Sequence, residues 1–233
     1  MVQKKIKSIQ CFQPKSLIVS CQALPDEPLF GSDMMAKMAQ AAFMGGAKGI
    51  RANGHDDIKA IKKVVNLPVI GIVKRHYDDS AIYITPTLKE VKEVADAGAE
   101  IVAIDATLRK RPAGESLETL IKHVRAKFPS LILMADIATL EEGKHAEKLG
   151  FDLISTTLTG YTEETQGVKL PNYHLVKDLL KHTQCPIIAE GGIQCPNHLR
   201  KLFKIGAHSA VIGSAITRPQ LITENFTKVI DHV

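Results

Sequence analysis

The sequence predicts an α/β protein built as a single-domain (β/α)8 TIM barrel, and three observations carry that expectation. Eight short apolar runs recur along the chain, each too brief for a helix. Amphipathic, charge-laced segments of helical length follow them in strict alternation, which demands parallel strands joined by right-handed crossovers. The last two runs end in Gly191-Gly192 and Gly213-Ser214 and lead into helices, as the seventh and eighth strands of a phosphate-binding barrel commonly do. An open doubly wound sheet fits less well, because no G-x-G-x-x-G follows the first run.

Taken in order, the predicted strands are residues 16–22, 47–53, 68–74, 100–107, 131–137, 151–157, 186–192 and 208–215. The predicted helices are residues 33–44, 56–65, 88–97, 116–128, 140–149, 173–182, 196–205 and 219–233, the last opening on Pro219, a residue suited to a first helical turn. Gly46, Gly98, Gly150 and Gly206 stand just past helix ends, where a left-handed residue stops a helix before the next strand. Residues 1–233 therefore form one domain, with residues 1–15 as an extension or short helix closing the barrel bottom. Two long connections, Arg75–Pro86 and Thr159–Pro171, follow strands three and six and are candidate covers for a site.

The chain has 233 residues, 45% of them hydrophobic and 24% charged, enough for one large core. No stretch approaches the roughly 18 apolar residues of a membrane span, and Met1–Gln10 lacks the apolar segment of a secretory signal, so a cytoplasmic location without a membrane partner is expected. The net charge of +5 is spread over helix-like segments that also carry acids, and no nucleic-acid motif is present. That balance suits a small anionic substrate. Cys11, Cys21, Cys185 and Cys195 make no C-x-x-C knuckle and read as thiols, with Cys21 and Cys185 bordering strands as small hydrophobes. No His-x-His, HExxH or carboxylate cluster calls for a metal.

In a barrel of this kind the carboxyl ends of the strands carry the chemistry. Gln22, Arg51, Lys74, Asp105, Asp136, Glu190 and Ser214 stand at or near the carboxyl ends of seven of the eight runs. Lys74 continues the alternation of Ile70 and Ile72, which points it inward. A lysine there either shuttles a proton at a lowered pKa, forms a Schiff base, or is paired across the barrel with Asp105, Asp136 or Glu190. Glu190, directly before the glycine pair, is placed to act on a substrate anchored beside it or to tune Lys74. Backbone amides of Gly192, Gly213 and Ser214, with the Arg218 charge, suit a phosphate, unless the glycines serve only the turns. Arg51 and Asp136 are substrate-orienting groups or an ordinary salt bridge.

These stretches together resemble the N-acetylmannosamine-6-phosphate 2-epimerases. The resemblance runs through Val19-Ser-Cys-Gln-Ala-Leu24, Gly49-Ile-Arg-Ala-Asn53, Pro68-Val-Ile-Gly-Ile-Val-Lys-Arg75, Tyr83-Ile-Thr-Pro-Thr87, Ile104-Asp-Ala-Thr107, Ala135-Asp-Ile137, Gly160-Tyr-Thr162, Ala189-Glu-Gly-Gly-Ile193 and Gly213-Ser-Ala-Ile-Thr-Arg-Pro219. It implies inversion at carbon 2 of an N-acetylhexosamine 6-phosphate by removal and return of a proton, without a cofactor. It further implies Lys74 as the essential proton carrier with Glu190 as acid/base partner, and Gln22, Arg51 and Asp136 on the sugar and acetamide. Arg218 and the amides of Gly192, Gly213 and Ser214 would hold the phosphate, and the likeness is compatible with a homodimer. A Schiff-base aldolase or lyase working through Lys74 and a noncatalytic phosphosugar-binding barrel are the rival readings.

Overall fold

The computed structural model describes residues 11–230. Eight parallel strands close into a barrel in chain order: β1 (Ser16–Cys21), β2 (Gly49–Asn53), β3 (Val69–Ile72), β4 (Ile101–Asp105), β5 (Ile132–Asp136), β6 (Leu153–Ser155), β7 (Ile187–Glu190) and β8 (Ser209–Ile212). The seam joins β1 to β8 in the register Ser16 with Ser209 through Val19 with Ile212. Around it run α1 (Ser32–Met44), α2 (His55–Val64), α3 (Leu88–Asp96), α4 (Leu117–Lys127), α5 (Leu140–Leu149), α6 (Tyr173–His182) and α7 (Pro196–Ile205), followed by α8 (Ser214–Thr217) and α9 (Pro219–Ile230).

The period-two alternation of each strand sorts its side chains into two cores. Ile18, Ile70, Ile72, Ile101, Ile132, Met134, Leu153, Ile188 and Val211 fill the barrel interior. Their neighbours Ile50, Val102, Leu133, Ile154 and Ile187 face outward and meet the apolar stripes of the helices, including Ile58, Val94, Leu120 and Leu179. Gly71 is needed for that second contact: a Cβ there would stand 2.5 Å from Val94 Cγ1 and 2.9 Å from Ile58 Cδ1. Phe12 is buried in the interior cluster beside Ile18. The rest of the expected N-terminal extension, residues 1–10, lies outside the described residues.

Seven of the eight strands stop one to three residues before the expected end, and two of these corrections bear on the site. The third strand stops at Ile72 rather than Lys74, because Lys74 pairs antiparallel with Ile84 of its own loop and donates its amide to Asn53 Oδ1 at 2.8 Å. The eighth stops at Ile212 rather than Ala215, because Gly213 leaves the extended region and its carbonyl accepts from the amides of Ile216 and Thr217, starting α8. Both changes place a functional candidate, Lys74 or Ser214, beyond the regular sheet.

The connection Arg75–Pro86 is a pinned wall. Arg75 pairs with Glu90 and with Glu93, Tyr77 donates to Glu90 Oε1 at 3.0 Å, and Glu90 also completes the Thr87 capping box that starts α3. Burying Glu90 is tolerable because hydrogen bonds from Thr87, Arg75 and Tyr77 hold its carboxyl below the usual range against the effect of burial. The helix α9 differs from the others in contributing no buried residue; Phe226, Val229 and Ile230 are exposed. Among the described residues no helix is long and apolar enough to cross a membrane. Cys21 is buried and its thiol pushed up to about 12 by desolvation, as befits a small hydrophobe, whereas Cys185 is only half-buried and donates to Phe151 O.

Candidate active site

At the carboxyl ends of the strands a cavity of about 450 Å³ opens, a size suited to a small ligand. Inward positions from strand after strand reach it: Ser20 from β1 and Gln22 just beyond it, Arg51 from β2, Lys74 beyond β3, Thr157 beyond β6, Glu190 from β7 and Gly213 beyond β8. Lys74 and Glu190, contributed more than a hundred residues apart, thus share one chamber.

Arg51 is the hub of the floor. Only 1% exposed, it grips Asp136 bidentately, Nη2 to Oδ2 at 2.6 Å and Nη1 to Oδ1 at 3.1 Å, and Nη1 also reaches Glu190 Oε2 at 2.9 Å. The two carboxylates outweigh desolvation and hold the guanidinium more firmly protonated than in water. Asp136 is fully buried and does not line the cavity, so the salt-bridge reading describes its place and it meets the cavity through two lining residues, Arg51 and Thr157. Glu190 has its carboxyl raised by burial first; Arg51 opposes that shift, while the nearby Asp136 adds to it. Its Oε2 takes Arg51 and Thr157, with Ser155 Oγ farther off at 3.4 Å, which leaves Oε1 without a partner among the described residues, on the cavity side.

Lys74 is treated otherwise. Its ammonium makes no hydrogen bond or ion pair among the described residues, so the expected alternative of a bridge to Asp105, Asp136 or Glu190 is not realised. Desolvation, then the charges of Arg51 and Arg218, lower it to about 8, with Glu190 and Glu27 pulling the other way. An amine so placed is within reach of both protonation states near neutrality.

The phosphate-side candidates share the same cavity. Gly192, Gly213, Ser214 and Arg218 all line the cavity. The first amides of α8, those of Ser214 and Ala215, have no intrahelical acceptor by geometry and face an anion well. Gly192 has a further reason to be glycine: φ is +67°, and a Cβ would lie 2.3 Å from Leu170 Cβ, so the loop after β6 packs directly on it. Arg218 is held by Glu27, Nε to Oε1 at 2.9 Å and Nη2 to Oε2 at 3.0 Å. Gln22 donates Nε2 to Ser20 Oγ at 2.9 Å while its Oε1 is buried without a partner, an acceptor awaiting a ligand donor.

Asp105 is not part of this chamber. Although it ends β4 on an inward position, it is closed off by Arg109, 2.7 Å away, and by Thr107. Conversely, Ser155 and Thr157, Ser20, Tyr83 and Glu27 are site residues that the sequence pattern does not single out. The run Ser155-Thr-Thr157 at the end of the sixth strand, the one strand assigned no rim residue, was the available signal for the first two. Glu27 had none, since it meets Arg218 across 191 residues. Among the described residues no three His, Cys, Asp or Glu side chains come together as metal ligands.

A closed parallel barrel whose carboxyl rim joins an amine unpaired among the described residues, a carboxyl clamped by Arg51, and Gly213 and Ser214 beside Arg218 has the architecture of a (β/α)8 enzyme. The NanE family model, described as N-acetylmannosamine-6-phosphate epimerase, matches residues 35–232. The chain belongs to the N-acetylmannosamine-6-phosphate 2-epimerase family. It is 54% identical over 215 residues to a Clostridium perfringens relative bearing that enzyme name, covering 92% of this chain and 96% of the relative. A Listeria welshimeri relative is 52% identical, with 97% of this chain and 93% of the relative covered. The solved structure of the N-acetylmannosamine-6-phosphate 2-epimerase from Clostridium perfringens superposes with a TM-score of 0.88 at 53% identity, over 92% of this chain and 93% of that one. Thiamine phosphate pyrophosphorylase from Pyrococcus furiosus, at a TM-score of 0.61 and 17% identity over 100% and 98% of the two chains, shares the fold.

Proposed function

We propose that this protein interconverts N-acetylmannosamine 6-phosphate and N-acetylglucosamine 6-phosphate through Lys74 and Glu190, without a cofactor. In the open-chain sugar the carbon 1 aldehyde acidifies the carbon 2 hydrogen. One group of the pair removes that proton, the electron pair moves into an enolate, and the other group returns a proton to the opposite face of carbon 2. The reverse reaction exchanges the two roles, so in either direction the working pair holds a single mobile proton. Gln22 and Arg51 orient the sugar and acetamide, Asp136 fixes Arg51, and Arg218 with the amides of Gly192, Gly213 and Ser214 binds the phosphate.

The observation that carries this reading is the Lys74 amine, unpaired among the described residues and lowered to about 8, facing the cavity that Glu190 Oε1 also faces. The test is turnover in deuterium oxide: solvent deuterium enters carbon 2 with the wild type, and both exchange and epimerisation vanish in Lys74→Ala with the fold intact by circular dichroism. Epimerisation without solvent exchange, or borohydride trapping of substrate on Lys74, sinks it.

A phosphorylated substrate does not cross membranes unaided, which favours a cytoplasmic place of action. The second copy of this chain is the partner we assign to α9, whose Phe226, Val229 and Ile230 stand in solvent, Phe226 at 73% and Ile230 at 71% exposure. Light scattering should return a dimer mass, and Phe226→Glu should lower it to one chain; a wild-type monomer at micromolar concentration removes this assignment.

A further inference from the structure

Thr157 sits between the two carboxylates of the floor. Its Oγ1 lies 2.7 Å from Asp136 Oδ1, 2.9 Å from Glu190 Oε2, 2.8 Å from Ser155 Oγ and 3.4 Å from Arg51 Nη1. A hydroxyl has one proton to give, so it can serve only one carboxylate at a time while its oxygen accepts from Ser155 or Arg51. Neither carboxylate is stripped by the choice. Asp136 retains its bidentate grip on Arg51 when the hydroxyl turns to Glu190, and Glu190 Oε2 retains Arg51 Nη1 when it turns to Asp136.

We propose that Thr157 is a positioning residue whose hydroxyl proton swings between Asp136 and Glu190 as Glu190 loses and gains its proton. The inference rests on the reading of Glu190 as an acid/base group. An ionised Glu190 carries charge on both oxygens, and Oε2 then attracts the Thr157 proton strongly. Once a proton from carbon 2 sits on the cavity-facing Oε1, Oε2 is only a carbonyl-type acceptor, and the proton turns to the Asp136 carboxylate. Rotating one hydroxyl requires no movement of the backbone. It supports ionised Glu190 against the effects of burial and of the like charge of Asp136. The charged groups facing Glu190 are Arg51 from β2, Lys74 beyond β3 and Asp136 from β5; Tyr83, Tyr161 and Arg218 complete the titratable lining of the cavity.

The experiment compares pH profiles of kcat/KM for wild type, Thr157→Val, Thr157→Ser and Glu190→Gln. Thr157→Val should move the acid limb upward by about one pH unit, the effect of losing a hydrogen bond to a charged group, and lower kcat with little change in KM. Thr157→Ser, which retains the hydroxyl, should restore the wild-type limb; Thr157→Ala stands in if the valine variant does not fold. An acid limb unmoved in the valine or alanine variant, or displaced equally in the serine variant, overturns the role of Thr157. If the limb persists in Glu190→Gln, the acid/base assignment of Glu190 itself has failed; if it disappears there but stays in place in Thr157→Val, only the present inference falls.

Discussion

Arg51 and Lys74 rise from neighbouring strands into the same chamber, both drawn from water, yet the structure surrounds them differently. Arg51 meets two carboxylates at hydrogen-bonding distance and is held permanently charged. Lys74 meets none among the described residues, and the cations Arg51 and Arg218 add to the effect of its burial. A cation with fixed partners is a piece of architecture, since breaking it leaves two acids uncompensated. A cation kept without partners costs stability and retains its chemistry: its proton is weakly enough held to be given up and regained. The fold thus separates holding from reacting across the distance between two adjacent strands.

Two substitutions, read in three measurements, test that contrast. The largest expected effect is on turnover: Lys74→Met lowers kcat roughly 10³–10⁴-fold, the range of a general acid/base group, and an activity loss below tenfold would erase the distinction. Next comes Arg51→Met, which should destabilise the protein by about 3–5 kcal/mol in urea unfolding, because Asp136 and Glu190 remain buried without their cation. A change under 1 kcal/mol would mean that the clamp is not structural.

The smallest effect has the opposite sign. Lys74→Met should stabilise the fold by roughly 1–3 kcal/mol near pH 7, since methionine fills the same space without a charge. The pH dependence follows from the folded value near 8 against an ordinary lysine at about 10.4. The unfolded chain binds more protons between those limits, so wild-type stability rises across that window and the penalty is complete below pH 8. The gain from methionine should therefore be largest below pH 8 and disappear by about pH 10.5. Melting curves of the two proteins that stay parallel from pH 7 to 10.5 would show that the amine carries no such penalty.

Much of this was legible before any coordinates. Alternation along Ile70, Ile72 and Lys74, or along Ile132, Met134 and Asp136, assigns an inward direction to each polar strand end, because successive strand residues face opposite sides. Those directions hold even though Lys74 lies beyond the regular strand, since its loop folds back on Ile84 and continues the inward line. The short helix Ser214–Thr217 was not legible: four residues are too few for a periodic pattern, and only the Gly213 backbone marks the start. Asp105 shows the limit from the other side, an inward acid that its own loop closes off through Arg109.

Sequence alone determined the order of strands and helices, the barrel class, the inward set of polar residues and the family, because all of these depend on local periodicity and residue identity. Tertiary structure decided the partners. That Asp136 is spent on Arg51, that Glu190 offers one oxygen, that Glu27 holds Arg218 and that Lys74 is left alone are matters of distance between segments far apart in the chain. Charge energies at contact depend on ångström separations and on the exclusion of water, neither of which has any trace in spacing along the sequence.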